Sequence, residues 1–493
     1  MDNFIAKVSE YLNALGTKKM IFILIIIIAV AYLNSLSVFF VWDDYALIVS
    51  NPDIRGKSPD YLFKPVYPQS RPGQFMRPVY FRPLQSASYW VDFRIWKLNA
   101  FGYHVTNIIL HIANALCVFW LLRILCKSSF FAFAGAALFG VNPLFTSSVT
   151  YISGRADLLL LFFSLVSLLC FIRSIATENG NFACYFLSVL SFILALLSKE
   201  TAFMTLILLG IVGATSYRSF GLRILLRRYI PFVLIAVIFQ FFKPLALPGF
   251  KFPPHAALGA IIWFFTALKG LFVYTALSIF PYQLHMGRSI TAIEGIGDVW
   301  LYIALLFTAA LVVFSLQAIR RKKIVLFGLV WFYGTLILQI VFNGLLARRG
   351  KEVLLPEHNL YFCYAGLLIC ACSFIGKRVI LAKKYLIAVF LCVLAVYTVL
   401  TMRENTVWQD EIKLFRRNIA YSGDSAFNFI SFSNLGFAYE RKRDFGKAEE
   451  NFIKAAQDSG GDPYFYRALA GFYYRRGEAE KARKALEAAR SIP

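Results

Sequence analysis

MIFILIIIIAVAYLNSLSVFFVWDDY, residues 20–45, is the stretch from which the fold follows. Its apolar run from Met20 to Val41 is 22 residues long and is broken only by Asn34, Ser35 and Ser37. At about 1.5 Å of rise per residue a helix of that length reaches roughly 33 Å, enough to cross a bilayer. Asp43 and Asp44 follow at once, so a first membrane span delivers two adjacent carboxylates to the point where it leaves the hydrocarbon. A carboxylate costs about 2.5–3.5 kcal/mol at the bilayer centre and less at the interface. Taken alone, the pair fits either an acidic helix end turned to water or a reactive site at the membrane surface.

Composition extends this reading to the whole chain. The 493 residues are 59% hydrophobic and 16% charged, and the mean hydropathy is +0.63. That is the composition of a polytopic, all-α membrane helix bundle. The net charge of +24 is spread over short loops and the C-terminal tail. This distribution fits the positive-inside rule, with no nucleic acid as partner. The eight cysteines, Cys117, Cys126, Cys170, Cys184, Cys363, Cys370, Cys372 and Cys392, fall in or beside apolar segments without a C-x-x-C pair. They read as small core residues rather than a disulfide framework or zinc site. Lys18 and Lys19 precede the first span, which reads as an uncleaved anchor with a cytoplasmic N-terminus.

A first extracytoplasmic loop, residues 42–103, follows and holds Arg71, Arg77, Arg82 and Arg94. The next helix carries His104, Asn107, His111 and Asn114 at spacings of three, four and three, one polar stripe on an apolar helix. Such a stripe faces a bundle interior or a wet cavity. Further apolar segments run near 130–149, 157–175, 182–197, 201–217, 229–243, 258–280, 299–318, 324–346, 359–376 and 384–402. The clusters at Arg227-Arg228 and Arg320-Arg321 both read as inside, yet three segments lie between them. One therefore does not cross. Segment 258–280, with Lys269 near its middle, is the candidate re-entrant or interfacial helix. About 11 crossings remain, over residues 1–402, with an outside C-terminus.

Residues 403–493 turn soluble and helical. A period of 34 residues matches Leu435 with Leu469, Tyr439 with Tyr473, Ala448 with Ala482, Phe452 with Leu486 and Ala455 with Ala489. This is the tetratricopeptide pattern, in two repeats, about 429–462 and 463–493. Residues 403–427 are expected to add a helix that docks the repeats on the membrane part. Such repeats present a concave protein-binding groove.

In chain order, the strings FVWDDYALIVSNPDIR, RPLQSASYWVDFRIWKLNAFGYHVTNIILHIANAL, TYISGRADLLL, SKETAF and PEHNLY, followed by the repeats, resemble the transmembrane-and-tetratricopeptide-repeat O-mannosyltransferase family and its bacterial relatives. That family is placed in the C-type glycosyltransferase superfamily. The resemblance implies an enzyme that uses a polyprenyl-phosphate-linked sugar on the outer face of a membrane, here a bacterial inner membrane. It implies a catalytic acidic pair in the first loop, Asp43 and Asp44. Inverting transfer needs a carboxylate to take the acceptor proton as the phosphate leaves, and Asp43 is the expected base, with Asp44 orienting. Cations should meet the phosphate. The candidates are Arg82, Arg155, Lys199 and Arg288. His104, Asn107, His111, His285, Glu357 and Tyr361 are expected to line the cavity. The acids do not cluster with histidines as ligands, so metal-independent transfer without a cofactor is expected. The acceptor is expected to be an exported polypeptide in the repeat groove. The chain departs from the eukaryotic pattern at Asn142-Pro143 and Ser147, where the relatives have His-Pro and Glu. Sugar and acceptor are therefore open. Transfer to a glycolipid or surface glycan, a non-catalytic scaffold and a transporter are the competing readings; no repeated halves favour the last.

Overall fold

The computed structural model describes residues 16–56, 81–176, 181–220, 222–246, 260–321, 323–346, 348–349, 352–375 and 383–490. Arg71 and Arg77 lie outside them. Helix α1 (Thr17–Tyr32) continues as a 3-10 turn to Ser37. Then come α2 (Pro83–Trp96), α3 (Ala100–Cys126), α4 (Ser129–Gly140), α5 (Arg155–Ser174), α6 (Phe182–Leu196), α7 (Phe203–Phe220), α8 (Leu222–Ala246) and α9 (Ala260–Ile279). Strand β1 (Ser289–Thr291) precedes α10 (Val299–Arg321) and α11 (Lys323–Leu329), which runs through a π-turn into α12 (Thr335–Leu346). Strands β2 (Arg348–Arg349) and β3 (Glu352–Leu354) lead to α13 (Leu360–Ile375) and α14 (Lys383–Asn405). The chain ends in α15 (Glu411–Ser422), α16 (Asn428–Arg441), α17 (Phe445–Asp458), α18 (Pro463–Arg475) and α19 (Ala479–Arg490). Among the described residues the architecture is all-α apart from one small antiparallel sheet of order β1-β3-β2, in register at Ile290–Val353.

Among the described residues, seven helical stretches are long and apolar enough to span a membrane. An eighth arises if the pair Ser129–Gly140 and Pro143–Val149, bent by 46°, is counted as one. The sequence reading of about 11 also counted α6 and α7, which fall among the shorter apolar helices, and α8 and α13, which are not among these stretches. Segment Ile261–Ile279, expected not to cross, has the length and composition of a span. Its Lys269 leaves the apolar environment by donating to Thr291 O and Oγ1, both at 3.0 Å. The helices pack closely where small residues allow. A Cβ on Gly328 or on Gly366 would stand 2.6 Å from the other's carbonyl oxygen, so only glycine lets α11 and α13 approach so near.

Helices α16 to α19 form two antiparallel pairs with the apolar positions of the 34-residue period inside except Leu486, which is exposed. Ala448, Phe452 and Ala455 are buried in the first pair and Ala482 and Ala489 in the second. Gly436 has no room for a Cβ because the Phe452 ring lies 2.9 Å away. Helix α15 joins these pairs to the membrane part. Phe415 and Leu414 share one apolar cluster with Val38, Val41, Tyr151 and Trp408.

Candidate active site

The chain reverses between the first span and the short helical turn that follows it. Trp42 holds a left-handed conformation, φ 52°, which is uncommon for a bulky residue. Three contacts hold it there. Its N–H donates to Glu411 Oε1 at 2.9 Å. Its ring stacks on Tyr151, with centroids 5.7 Å apart, and Tyr151 stacks in turn on Trp408 at 5.3 Å. Phe415 closes the edge. The outcome of this kink is that Asp43 and Asp44 face different surroundings.

Asp44 is fully buried and accepts from Val41 N–H at 3.0 Å, Ser153 N–H at 2.9 Å and Ser153 Oγ at 2.5 Å. It clasps the first loop to the turn before α5. Asp43 lines a cavity of about 470 Å³ together with Arg82, Gln85, Ser147, Tyr151, Asp157, Lys199, Glu200, Thr201, Gln339, Asn343 and His358. Burial raises the Asp43 carboxyl above its ordinary range, and the Tyr151 hydroxyl and the Arg82 charge pull it part of the way back.

Two cations stand in the same cavity. Lys199 Nζ lies 2.6 Å from Asp157 Oδ1, and Arg82 Nη2 lies 3.1 Å from Glu200 Oε2. His358 joins them, its imidazole driven down to about 4 by burial and by the Lys199 charge. Four helices also begin at the wall. Arg82 and Gln85 bracket the start of α2, Gly154 and Asp157 that of α5, Thr201 and Phe203 that of α7, and His358 and Asn359 that of α13. Helix N-termini carry partial positive charge, so this end of the cavity suits an anion. The opposite character is also present: Leu47, Phe203, Leu338 and Leu354 give apolar wall.

Of the expected phosphate cations, the cavity holds Arg82 and Lys199 but not Arg155 and Arg288. Arg155 is fully buried between Asp92 (2.6 Å), Asn107 Oδ1 (2.7 Å), Tyr103 O (2.9 Å) and Ser88 Oγ (3.2 Å). These four contacts cross-link α2, α3 and α5, and Arg155, expected to meet the donor phosphate, does not line the cavity. Arg288 is tied to Glu357 Oε1 at 3.0 Å and to Gln283 O at 2.9 Å. None of the six residues expected to line the cavity is among those that line it. The polar stripe of α3 bonds neighbouring segments instead: His104 to Val38 O (2.9 Å), Asn107 to Val149 O (3.1 Å) and His111 to Gly140 O (3.0 Å) and the Tyr361 hydroxyl (2.8 Å). His285 and Glu357 line a separate void of about 20 Å³ beside α15. Burial raises the Glu357 carboxyl to about 7 against the pull of Arg288, and Glu357 accepts from His285 N–H at 2.9 Å.

The sequence reading missed His358, Asp157 and Glu200 in the cavity. Asp157 and Glu200 were visible as neighbours of Arg155 and Lys199 in SGRAD and SKETAF, and His358 sits in PEHNLY between the two residues singled out there. Ser147 lines the cavity, whereas Asn142 is buried and caps the turn at Leu144 N–H (3.1 Å).

No family model matches the chain. A protein O-mannosyl-transferase of Caenorhabditis elegans is 27% identical over 419 residues, which are 81% of this chain and 57% of the nematode protein. Protein O-mannosyl-transferase Tmtc1 of Drosophila melanogaster is 31% identical over 194 residues, 38% of this chain and 22% of its own length. TMTC2 of Homo sapiens is 31% identical over 149 residues, 30% and 18% respectively. The chain thus spans about half the length, or less, of the curated relatives it matches. Among solved structures, ArnT from Cupriavidus metallidurans bound to undecaprenyl phosphate superposes on 96% of this chain and 76% of its own, at 13% identity and a TM-score of 0.43, too loose a likeness to bear on the site. The chain is similar to the transmembrane-and-tetratricopeptide-repeat O-mannosyltransferases, as its motifs indicated.

Proposed function

We propose that this integral membrane protein, which is similar to protein O-mannosyl-transferases, transfers a sugar from a polyprenyl-phosphate donor to a hydroxyl of an exported polypeptide. One observation carries the reading: a carboxylate with a raised pKa, Asp43, and the cations Lys199 and Arg82 share one cavity of about 470 Å³. A cavity of that size takes a sugar phosphate with part of its lipid. The acceptor O–H gives its proton to the Asp43 carboxylate while its oxygen bonds the anomeric carbon. The bond from that carbon to the phosphate oxygen breaks, and the phosphate leaves with the electron pair. Charge grows on the departing phosphate, where Lys199, Arg82 and the four helix N-termini are placed to meet it. Attack from the face opposite the phosphate inverts the anomeric centre. Asp44 takes no part in the transfer and holds the loop that carries Asp43.

Transfer is proposed to need no metal. The acids nearest the cations, Asp157 and Glu200, are each neutralised by one, and a phosphate met by Lys199 and Arg82 has its countercharge already. The first loop and the repeat region, residues 403–493, are placed on the extracytoplasmic side of a bacterial inner membrane, the N-terminus in the cytoplasm, and the groove of α16 to α19 holds the acceptor polypeptide. The deciding experiment uses purified protein in lipid nanodiscs with polyprenyl-phosphate mannose or glucose and an exported protein from the host. Wild type should add a hexose, by intact mass, in the presence of EDTA, and Asp43→Asn should not. Equal modification by Asp43→Asn, or none by either protein with any donor, sinks the reading.

A further inference from the structure

The wall contributed by α12 carries buried polar atoms that face the cavity without a partner. Gln339 and Asn343 stand one helical turn apart and both line the cavity. Gln339 is 3% exposed, yet neither its Oε1 nor its Nε2 has a hydrogen-bond partner among the described residues. The same holds for Asn343 Nδ2 and for Thr201 Oγ1, which lines the cavity beside them. Hydroxyls between α5, α6 and α7, by contrast, find one another or a carbonyl. Ser164 meets Thr205 at 2.7 Å and Ser167 meets Ser188 O at 2.9 Å. Buried polar atoms in native proteins are satisfied by protein, water or ligand, and an amide left bare in an apolar surrounding is costly.

Packing does not account for these amides. Ile337 and Val341 of α12, which do not line the cavity, are apolar and 40–48% exposed, as a lipid-facing surface would be. The inward face would pack as well with leucines. A carboxamide presents one acceptor and two donors in a plane, the complement of two adjacent hydroxyls on a pyranose ring. Thr201 is two residues from Lys199 on one turn, so these atoms adjoin the cationic end of the cavity.

We infer that Gln339 and Asn343 of α12, with Thr201, form the subsite that hydrogen-bonds the hydroxyls of a hexose carried by the lipid phosphate. The inference rests on the donor reading above and adds where the sugar is recognised. The subsite discriminates a sugar-bearing polyprenyl phosphate from the bare one, whereas Lys199 and Arg82 bind both.

The test measures binding to the full-length protein in nanodiscs of polyprenyl phosphates carrying mannose or glucose, and of bare polyprenyl phosphate. Wild type should prefer a sugar-bearing form. Gln339→Leu and Asn343→Leu should each weaken that form about three- to tenfold, the loss expected for a hydrogen bond or two, and leave bare polyprenyl phosphate unchanged. The melting temperature without ligand should hold or rise, because each variant removes an unsatisfied polar group. A purely structural role predicts a lower melting temperature and equal loss for all three lipids, and either result overturns the inference. Binding of bare phosphate by wild type without preference for any sugar form sinks the subsite alone. No binding of any of the three lipids removes the donor reading and the subsite with it.

Discussion

At the scale of single residues, the two neighbouring aspartates separate into two jobs. Asp43 faces the cavity and Asp44 is locked to three donors, so their replacements should diverge. Asp43→Asn should lower the transfer rate by about 10²–10⁴, the usual worth of a general base, with an unchanged melting curve. Asp44→Ala leaves the buried N–H groups of Val41 and Ser153 without an acceptor and should cost about 3 kcal/mol of stability, read as a lower thermal midpoint. Matching losses of stability in both would contradict this division. The acid dependence has a definite sign. A base works only when deprotonated, and the Asp43 carboxyl lies above its ordinary range, so kcat/KM should fall on the acid side with an apparent pKa above about 4. Arg82→Gln removes a charge that lowers that pKa and should move the acid limb to higher pH. A limb that moves down, or stays, in this variant would assign it to another group.

At the scale of elements, the sequence disclosed which segments exist better than what their polar faces meet. The spacing of His104, Asn107, His111 and Asn114 was legible as one stripe, but a stripe that bonds backbone carbonyls of a broken helix has the same periodicity as one that lines a pocket. What decided between them for Asn107 and His111 was the local chain course from Gly140 to Ser153, which bends back to α3 and supplies their carbonyls, while His104 meets Val38 O and Asn114 meets Leu158 O, and no periodicity reports such meetings. Arg155 was misread for the same reason, since its partner Asp92 is 63 positions away on α2. The kink at Trp42 was equally hidden, because its support comes from Trp408 and Glu411 at the far end of the chain. That dependence is testable. Glu411→Gln leaves the acceptor oxygen in place, whereas Trp408→Ala opens the aromatic stack beneath Tyr151. Trp408→Ala should lower transfer at least tenfold with donor affinity little changed, measured as a kcat fall against a near-constant KM, because it loosens the loop that aims Asp43 and leaves Lys199 and Arg82 in place. A rise in KM at constant kcat would show instead that the stack shapes the donor pocket.

At the scale of the whole molecule, the first loop and the C-terminal helices must lie on one side of the membrane, because Trp42, Tyr151 and Trp408 stack and Arg441 pairs with Glu411 while covering the Tyr45 ring. The other ends of the helices gather basic residues: Arg123 donates to Thr17 Oγ1 at the start of α1, and Arg228 to Ser174 O at the end of α5. Helix α1 connects the two sides, with Thr17 at one end and the Asp43 turn just past the other. This relation holds whichever of α6, α7 and α9 cross, so the sidedness of the active site does not wait on the count of spans. Basic ends remain in the cytoplasm under the positive-inside rule. A reporter enzyme active only outside the cytoplasm should therefore work when fused after Arg490, and also after Pro281, whose segment leads to His285 and Met286 against α15. The same reporter inserted at Arg227-Arg228, in the first turns of α8, should be silent. Activity there, or silence after Arg490, would turn the cavity toward the cytoplasm, where an exported acceptor never passes, and the proposed chemistry would have no substrate to meet.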